Sequence, residues 1–475
     1  MHKAFLTDAL IYGGVDILWK FINFALFPIL AYFLSVEEFG TYTLLNVVTW
    51  FGLMLINCGL PVSFEWFYLR AGSDSQEQKK IITASLTWMA LLGALLVGSG
   101  LLSSYLWRSS FINFHWKLFA IAWATAWPMA LFQFLCNICR VNFSPWKFAG
   151  LQFLQNSLAL CLGLGLVIGY NQGTEGLLWG SFISFTVLLP FAYRWVVPSV
   201  AFHISSLKPL LLFGIPFLIN DLARWAYTLL DRFWLEQLGS LTDVGLFGMA
   251  FKLVTPLIFM ITAFNLAWTP YALKEKPTSR GFLNTSYILW MWFLTGGALF
   301  LILFAQEVLY LLIPSPFWEA APLVPPLAIG LVFLGSTQIT QVVLMQNDQT
   351  KKIALIAWIG GLFNCLGNFV LVPLMGAQGS ALIVLATYGW IGMATYALAR
   401  TSFTQLKPTI AMVAILCFGW GIAEWNWPGK CALLALFTLG ALFLLRLRVI
   451  SDLSPNFRSA RGRTPLPTEI TIGPP

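Results

Sequence analysis

Charge is what this sequence has least of. Only 10% of its 475 residues are Asp, Glu, Lys or Arg while 59% are hydrophobic, where a soluble domain carries roughly a quarter charged residues. That shortage excludes a soluble globular chain. Histidine is scarce as well: His2, His115 and His203 all fall at the edges of apolar runs, so a histidine proton relay in mid-membrane is excluded. Long polar loops are missing, since no connection between apolar runs exceeds about twenty residues. A nucleotide-binding or acid-rich catalytic domain has no place to sit, which argues against a membrane polymerase or lipid-linked glycosyltransferase. The seven cysteines lie almost entirely within apolar runs. Cys136 and Cys139 form a C-x-x-C, but it has no second ligand pair for zinc and only Arg140 nearby to activate a thiol. No metal or cofactor constellation is expected.

What is present is one apolar run after another, each about 20 residues and long enough to cross about 30 Å of hydrocarbon as a helix. Spans are expected at 11–34, 41–60, 81–106, 116–138, 149–170, 174–197, 209–236, 243–268, 282–305, 320–345, 353–374, 377–399, 408–424 and 428–447. Continuous apolarity, without alternation over about ten residues, excludes a transmembrane barrel. The fold class is an all-α polytopic membrane protein of about fourteen transmembrane helices. Turn chemistry such as Asn171-Gln172-Gly173 and Gly376-Ala377-Gln378-Gly379 separates neighbouring runs.

Basic residues collect on alternate loops, as orientation by positive charge requires. With the N-terminus inside, twenty of the 27 Lys and Arg are cytoplasmic, while Arg108, Lys117 and Lys430 are outside and four lie within spans. Both termini are therefore expected in the cytosol. The net charge of +8 reads as an orientation signal, with no nucleic-acid partner. Because Asp16 and Lys20 interrupt the first run and no small-residue cleavage site follows, that run is read as an uncleaved insertion signal. Residues 451–475, rich in proline and arginine, are expected to be a disordered cytoplasmic tail.

An internal repeat organises the chain. The segment from Leu10 to Leu45 resembles that from Leu211 to Ala250: Tyr12-Gly13 matches Phe213-Gly214, and Glu38-Phe39-Gly40 matches Asp243-Val244-Gly245. Six spans per repeat give two bundles of the same orientation, related by a parallel pseudo-two-fold axis. The expected division is 1–200 and 201–402 for the two six-helix bundles, 403–450 for an extra helix pair, and 451–475 for the tail.

Charges inside the spans mark the candidate site. At about 100° per residue, Asp221, Arg224, Thr228, Asp231 and Arg232 share a face of the seventh span. Each charge near a helix centre costs about 2.5–3.5 kcal/mol against lipid, so that face is expected to look at protein or water. Asp16, Lys20 and Asn23 share a face of the first span, and Lys252 lies within the eighth. The structural alternative is mutual neutralisation of Asp221 with Arg224 and of Asp16 with Lys20. Asp231 and Arg232 are expected to tie the outer end of the seventh span to its neighbours. Arg70 and Arg140, at cytoplasmic span ends, read as orientation anchors, with an entrance role as the alternative.

The runs "LSVEEFGTYTLL", "GIPFLINDLARWAYTLLDRFWLEQLGSLTDVGLFGMAFKL" and "FNLAWTPYALK" resemble the polysaccharide biosynthesis flippase family. This is the O-antigen translocase-like branch of the multidrug, oligosaccharidyl-lipid and polysaccharide exporter superfamily, and the resemblance covers roughly residues 5 to 400. It implies two bundles in a V around a central cavity, alternating between openings, in a bacterial inner membrane. The implied substrate is a polyprenyl-pyrophosphate-linked oligosaccharide, with membrane lipid around it and a polysaccharide polymerase and chain-length machinery as partners. On that reading Lys20, Arg224 and Lys252 hold the pyrophosphate, Asn23, Trp225 and Tyr227 contact sugars, and Asp16 and Asp221 couple movement to H+ or Na+. The extra helix pair resembles the lipid II flippase branch, and a drug/cation antiporter of the same fold is the remaining alternative. Such an exporter should show an acidic excess in its cavity, whereas the midspan charges here are Lys20, Arg224 and Lys252 against Asp16 and Asp221.

Overall fold

The computed structural model describes residues 2–72, 74–106, 116–197, 207–275, 280–399, 406–423 and 427–444. The expected tail lies outside the described residues, as do the side chains of Asp16 and Lys20. A backbone in hydrocarbon can bond only to itself, so the described chain is helix upon helix. In order these are α1 (His2–Phe33), α2 (Val36–Asn57), α3 (Leu60–Arg70), α4 (Ser75–Leu106), α5 (Trp116–Val141), α6 (Pro145–Leu164), α7 (Gly173–Val196) and α8 (Leu207–Leu229). There follow α9 (Asp231–Leu238), α10 (Leu241–Leu253), α11 (Thr255–Glu275), α12 (Arg280–Leu312), α13 (Val324–Gln346), α14 (Thr350–Ala399), α15 (Leu406–Gly421) and α16 (Trp427–Leu444). A π turn extends α6 and a 3-10 segment precedes α13. In its described residues every expected span is helical. Among the described residues eight helical stretches are long and apolar enough to cross a membrane, or nine with the bent pair α10 and α11. One of them, α14, carries two expected spans that turn at Gly376 (φ 54).

Three expected spans are broken rather than straight. Helix α2 ends in two left-handed residues, Cys58 (φ 47) and Gly59 (φ 72). Pro61 cannot sit inside a helix, yet it suits the first turn of a new one, so the chain restarts as α3. The second crossing therefore reaches Arg70, past its expected end at residue 60. Helix α8 hands over to α9 at Leu230. Helices α10 and α11 meet at 48° beside Pro256, whose missing N–H cannot return to residue 252.

Helix α5 packs on α2, α4 and α7, and α14 packs on α8, α9 and α13. Helices α15 and α16 lean on α12, where Lys430 Nζ meets Glu307 Oε1 at 2.5 Å. Lys430, expected among the outside charges, is thus a buried strut.

The repeat is visible at atomic level. Ser35 Oγ accepts from the Glu38 N–H at 3.1 Å to cap α2, and Ser240 Oγ accepts from the Asp243 N–H at 3.0 Å to cap α10. Each cap acidic residue then meets the start of a later helix. The Glu38 carbonyl accepts from Thr174 Oγ1 at 2.6 Å, beside Gly173 (φ 50), and Asp243 Oδ1 accepts from the Ala377 N–H at 3.1 Å, beside Gly376. Replacing Asp243 with Ala keeps the backbone N–H that Ser240 caps but removes the carboxylate that accepts from Ser240 Oγ at 2.7 Å and from the Ala377 N–H. The expected loss is about 1.5–3 kcal/mol, the worth of hydrogen bonds to a charged group, read as a lower thermal midpoint in detergent, with Asp243→Asn retaining part of it.

Helices α2 and α10 cross backbone to backbone, and the contact is reciprocal. A Cβ added to Gly40 would overlap the Leu241 carbonyl oxygen and lie 2.9 Å from the Gly245 nitrogen. One added to Gly245 would overlap the Val36 carbonyl oxygen and lie 2.8 Å from Val36 Cγ1. Only glycine at both positions allows this approach. A second seam joins α3 to α8, where a Cβ on Gly59 would overlap the Gly214 carbonyl. Phe24 of α1 meets Phe259 of α11 edge-on at 6.4 Å.

Candidate functional site

Between these seams lie three adjoining cavities, and Trp50 of α2, 46% exposed, lines all of them. The first, of about 440 Å³, lies between α2, α3 and α5 on one side and α8 on the other, with Asn57, Gln133, Asp221, Arg224, Trp225 and Thr228 on its walls. Arg224 Nη2 and Asp221 Oδ1 are 3.2 Å apart, and the Arg224 side chain is 68% exposed. An ion pair so open to solvent is worth little to stability, about 0–1 kcal/mol, which leaves the guanidinium free to exchange its partner for a ligand. Trp225 packs on Phe51 with ring centroids 4.8 Å apart.

The second cavity, of about 320 Å³, lies between α2 and α10, with Arg232, Lys252, Tyr42, Asn46 and Thr255 on its walls. Arg232 Nη1 donates to the Thr228 carbonyl at 2.8 Å, and its guanidinium lies over Phe251 at 4.7 Å and Phe247 at 5.3 Å. Lys252 Nζ stands 5.9 Å from the Phe27 ring. Among the described residues the two cavities together hold three cations, Arg224, Arg232 and Lys252, against one anion, Asp221.

The third cavity, of about 450 Å³, is enclosed by α1, α2, α5, α6 and α7. Six amides reach into it, Asn23, Asn46, Gln133, Gln152, Gln155 and Asn156. The buried core of this region falls into separate clusters, and Leu177, Phe132 and Leu178, one from each, all border the space.

The break at Leu230 separates residues expected on one face. Asp221, Arg224 and Thr228 remain together on the cavity wall. Asp231, fully buried, turns the other way and accepts from Asn368 Nδ2 at 3.0 Å. That nitrogen also faces Asn364 Oδ1 at 3.2 Å, while Asp231 Oδ2 and Asn368 Oδ1 have no partner among the described residues. Arg232 faces the second cavity instead. Asn23 lines the third, and Trp225 the first. Tyr227 points into the packing, edge-on to Tyr388 at 6.2 Å. Arg70 and Arg140 are exposed at helix ends, Arg140 lying over Phe148 at 5.3 Å.

Of the six amides only Asn23, which shares a face with charged residues, stands out in the sequence. Gln152, Gln155 and Asn156 stand at i, i+3 and i+4 of an apolar run, and Asn364 and Asn368 at i and i+4 of another, so the helical period carries the signal.

The arrangement of apolar helices around a polar interior is that of a multi-pass membrane protein. The chain is similar in fold to the lipid II flippase MurJ in an inward closed conformation, with a TM-score of 0.70, 14% identity, and 94% of this chain and 99% of that one covered. It is similar also to an inward-facing multidrug resistance MATE family transporter of the MOP superfamily, with a TM-score of 0.65, 16% identity, and 86% and 95% covered. A MOP superfamily transporter from Pyrococcus furiosus gives 0.59 at 16% identity, with 86% and 94% covered. The family model described as "Polysaccharide biosynthesis protein" matches residues 5–276, and this chain belongs to that family. The "Lsg locus putative protein 1" of Haemophilus influenzae is 24% identical over 285 residues, which is 57% of this chain and 67% of that protein.

Proposed function

We propose that this protein carries a polyprenyl-pyrophosphate-linked oligosaccharide from the cytoplasmic to the outer leaflet of a bacterial inner membrane, with both termini cytoplasmic. It acts by alternating access and performs no bond chemistry. The observation that carries the reading is the cationic excess, among the described residues, of the two cavities between the helix sets, directly beside a polar third cavity lined by amides. A pyrophosphate needs charge-assisted donors, which Arg supplies as a fork and Lys as a point charge. Glycan hydroxyls cost several kcal/mol each in hydrocarbon if unpaired, so the head group needs a polar path while the lipid tail stays in the bilayer. A drug/cation exporter would need acidic excess in the same place. Polymerase and chain-length machinery would take the product on the outer side.

Beside Asp16 and Asp221, the carboxylates expected to couple movement to an ion, Asp231 is the one we favour. Asp221 is half-exposed and already paired with Arg224, whereas Asp231 is buried with an unpartnered oxygen beside the unpartnered oxygen of Asn368. A H+ or Na+ on that carboxylate would reach the oxygen that the Asn368 amide leaves unpartnered.

A second reading, a lipid II-type flippase, is favoured by a likeness to MurJ that covers 94% of the chain. Proteoliposome assays with fluorescent undecaprenyl-diphosphate-linked oligosaccharide or with lipid II separate the two by head group. The expected result is movement of the oligosaccharide lipid, slowed at least about tenfold by Arg224→Ala and by Lys252→Ala, since one charge-assisted bond is worth about 1.5–3 kcal/mol. Preference for lipid II would transfer the assignment to the second reading. Movement of organic cations alone would overturn both.

A further inference from the structure

We propose that the two cationic cavities are successive seats for one diphosphate, an inner seat at Arg224 and an outer seat at Arg232 and Lys252, with Trp50 and Leu229 as the partition between them. This rests on the lipid-linked oligosaccharide reading above and adds the order of the steps and the residues that separate them.

The cavities are stacked along α2. Tyr42, Asn46 and Trp50 line the outer one, and Trp50, Leu53 and Asn57 the inner one. Spacings of three and four keep these residues on one face of the helix, and the stretch from Tyr42 to Asn57 covers about 22 Å at the helical rise. The opposite wall runs in the same order. Arg224 of α8 lines the inner cavity, and Arg232 of α9 lines the outer one, about 12 Å further along by the helical rise. With the start of α2 on the outer side, as in the orientation proposed above, Arg232 lies outward of Arg224. A charge-assisted hydrogen bond holds its two atoms about 2.7–2.9 Å apart. One diphosphate therefore bonds in one cavity and then in the other.

The two linings share Trp50 of α2 and Leu229 at the end of α8. A largely carbon wall between two polar chambers is a barrier to an anion, which would lose hydration against it. Both halves of the wall can yield. Trp50 is half-exposed, and Leu229 stands immediately before Leu230, where α8 gives way to α9.

The seats hold their guanidinium groups differently. Arg224, largely exposed, is held by Asp221 at 3.2 Å, so an arriving diphosphate exchanges with a carboxylate. Arg232 is buried, fixed by the Thr228 carbonyl at 2.8 Å and by the faces of Phe251 and Phe247. It is already oriented when the anion reaches it, which lowers the cost of binding. Thr228 itself lines the inner cavity, so the residue that fixes the outer seat forms part of the inner wall. An adjustable inner site suits capture, and a fixed outer one suits hand-over.

The test uses the full chain in lipid nanodiscs. The probe is undecaprenyl diphosphate bearing a trisaccharide of N-acetylglucosamine, with a photoreactive diazirine on the sugar next to the diphosphate, and adducts are mapped by mass spectrometry. Wild type is expected to be labelled in both cavities. Arg224→Gln should lower labelling of the inner cavity at least tenfold and leave the outer one labelled. Arg232→Gln/Lys252→Gln should do the reverse, a reciprocal pattern that misfolding cannot produce. For the partition, Trp50→Cys/Leu229→Cys is bridged in proteoliposomes by a reducible thiol-to-thiol crosslinker. Flipping should fall at least tenfold and return on reduction, with neither single-cysteine variant responding. Labelling that falls in both cavities with either seat variant would overturn the two seats and leave the lipid diphosphate reading in place. Flipping at the wild-type rate by the bridged protein would overturn the partition. Labelling of neither cavity in wild type overturns both the seats and that reading.

Discussion

Gly40→Leu is expected to abolish transport while leaving the protein inserted in the membrane. Its Cβ would overlap the Leu241 carbonyl oxygen and crowd the Gly245 backbone, and neither can move aside as a side-chain tip could. The α2–α10 seam must therefore open at the end where both helices are capped, and a wedge there holds apart two surfaces that alternating access requires to meet and part. Flipping in proteoliposomes should fall at least tenfold, the equivalent of about 1.4 kcal/mol on a barrier, and Gly245→Leu should match it because the contact is reciprocal. Gly98→Ala serves as the control, since nothing lies within 4 Å of its added Cβ. Wild-type flipping by either leucine variant would show that the seam does not take part in the cycle.

Asp231→Asn carries the second large effect. The buried carboxylate keeps one unpartnered oxygen, with the unpartnered Asn368 oxygen beside it, and a cation there would find two acceptors. Substituting the amide keeps the shape and removes the charge. The expected outcome is a flipping rate at least tenfold below wild type under an imposed pH or Na+ gradient, and the same residual rate without one. Gradient dependence equal to that of wild type would remove Asp231 from coupling. Asp221→Asn tests the other carboxylate in the same assay and is expected to keep the gradient dependence, because Asp221 is exposed and paired with Arg224.

Much of this architecture is legible in the sequence because hydrocarbon permits few solutions. Runs of apolar residues have to be helices, and the match of Glu38-Phe39-Gly40 with Asp243-Val244-Gly245 falls on the reciprocal seam. The paired caps at Ser35 and Ser240 continue the same match. Less legible are the breaks. Pro61 marks one, yet an apolar run that stops at residue 60 gives no sign that the restarted helix continues to Arg70. Nothing local announces the turn at Leu230, after which Asp231 bonds to Asn368 of α14 while Arg232 lines the second cavity. Tyr227 sits on a polar helix, which suggests a contact with substrate, but Tyr388 from α14 claims its ring, a contact no single-helix argument contains. The amide cavity is hard to see for a physical reason: a charge in a span is costly and draws attention, whereas six amides contributed by α1, α2, α5 and α6 become a site only when the helices pack.

The proposed passage of lipid-linked oligosaccharide through the cationic cavities is best tested in a strain lacking this protein, by measuring how much lipid-linked oligosaccharide accumulates and on which face of the membrane. Accumulation on the cytoplasmic face, relieved by the wild-type chain and not by Arg224→Ala, is expected. No accumulation, together with increased sensitivity to cationic drugs, would contradict it.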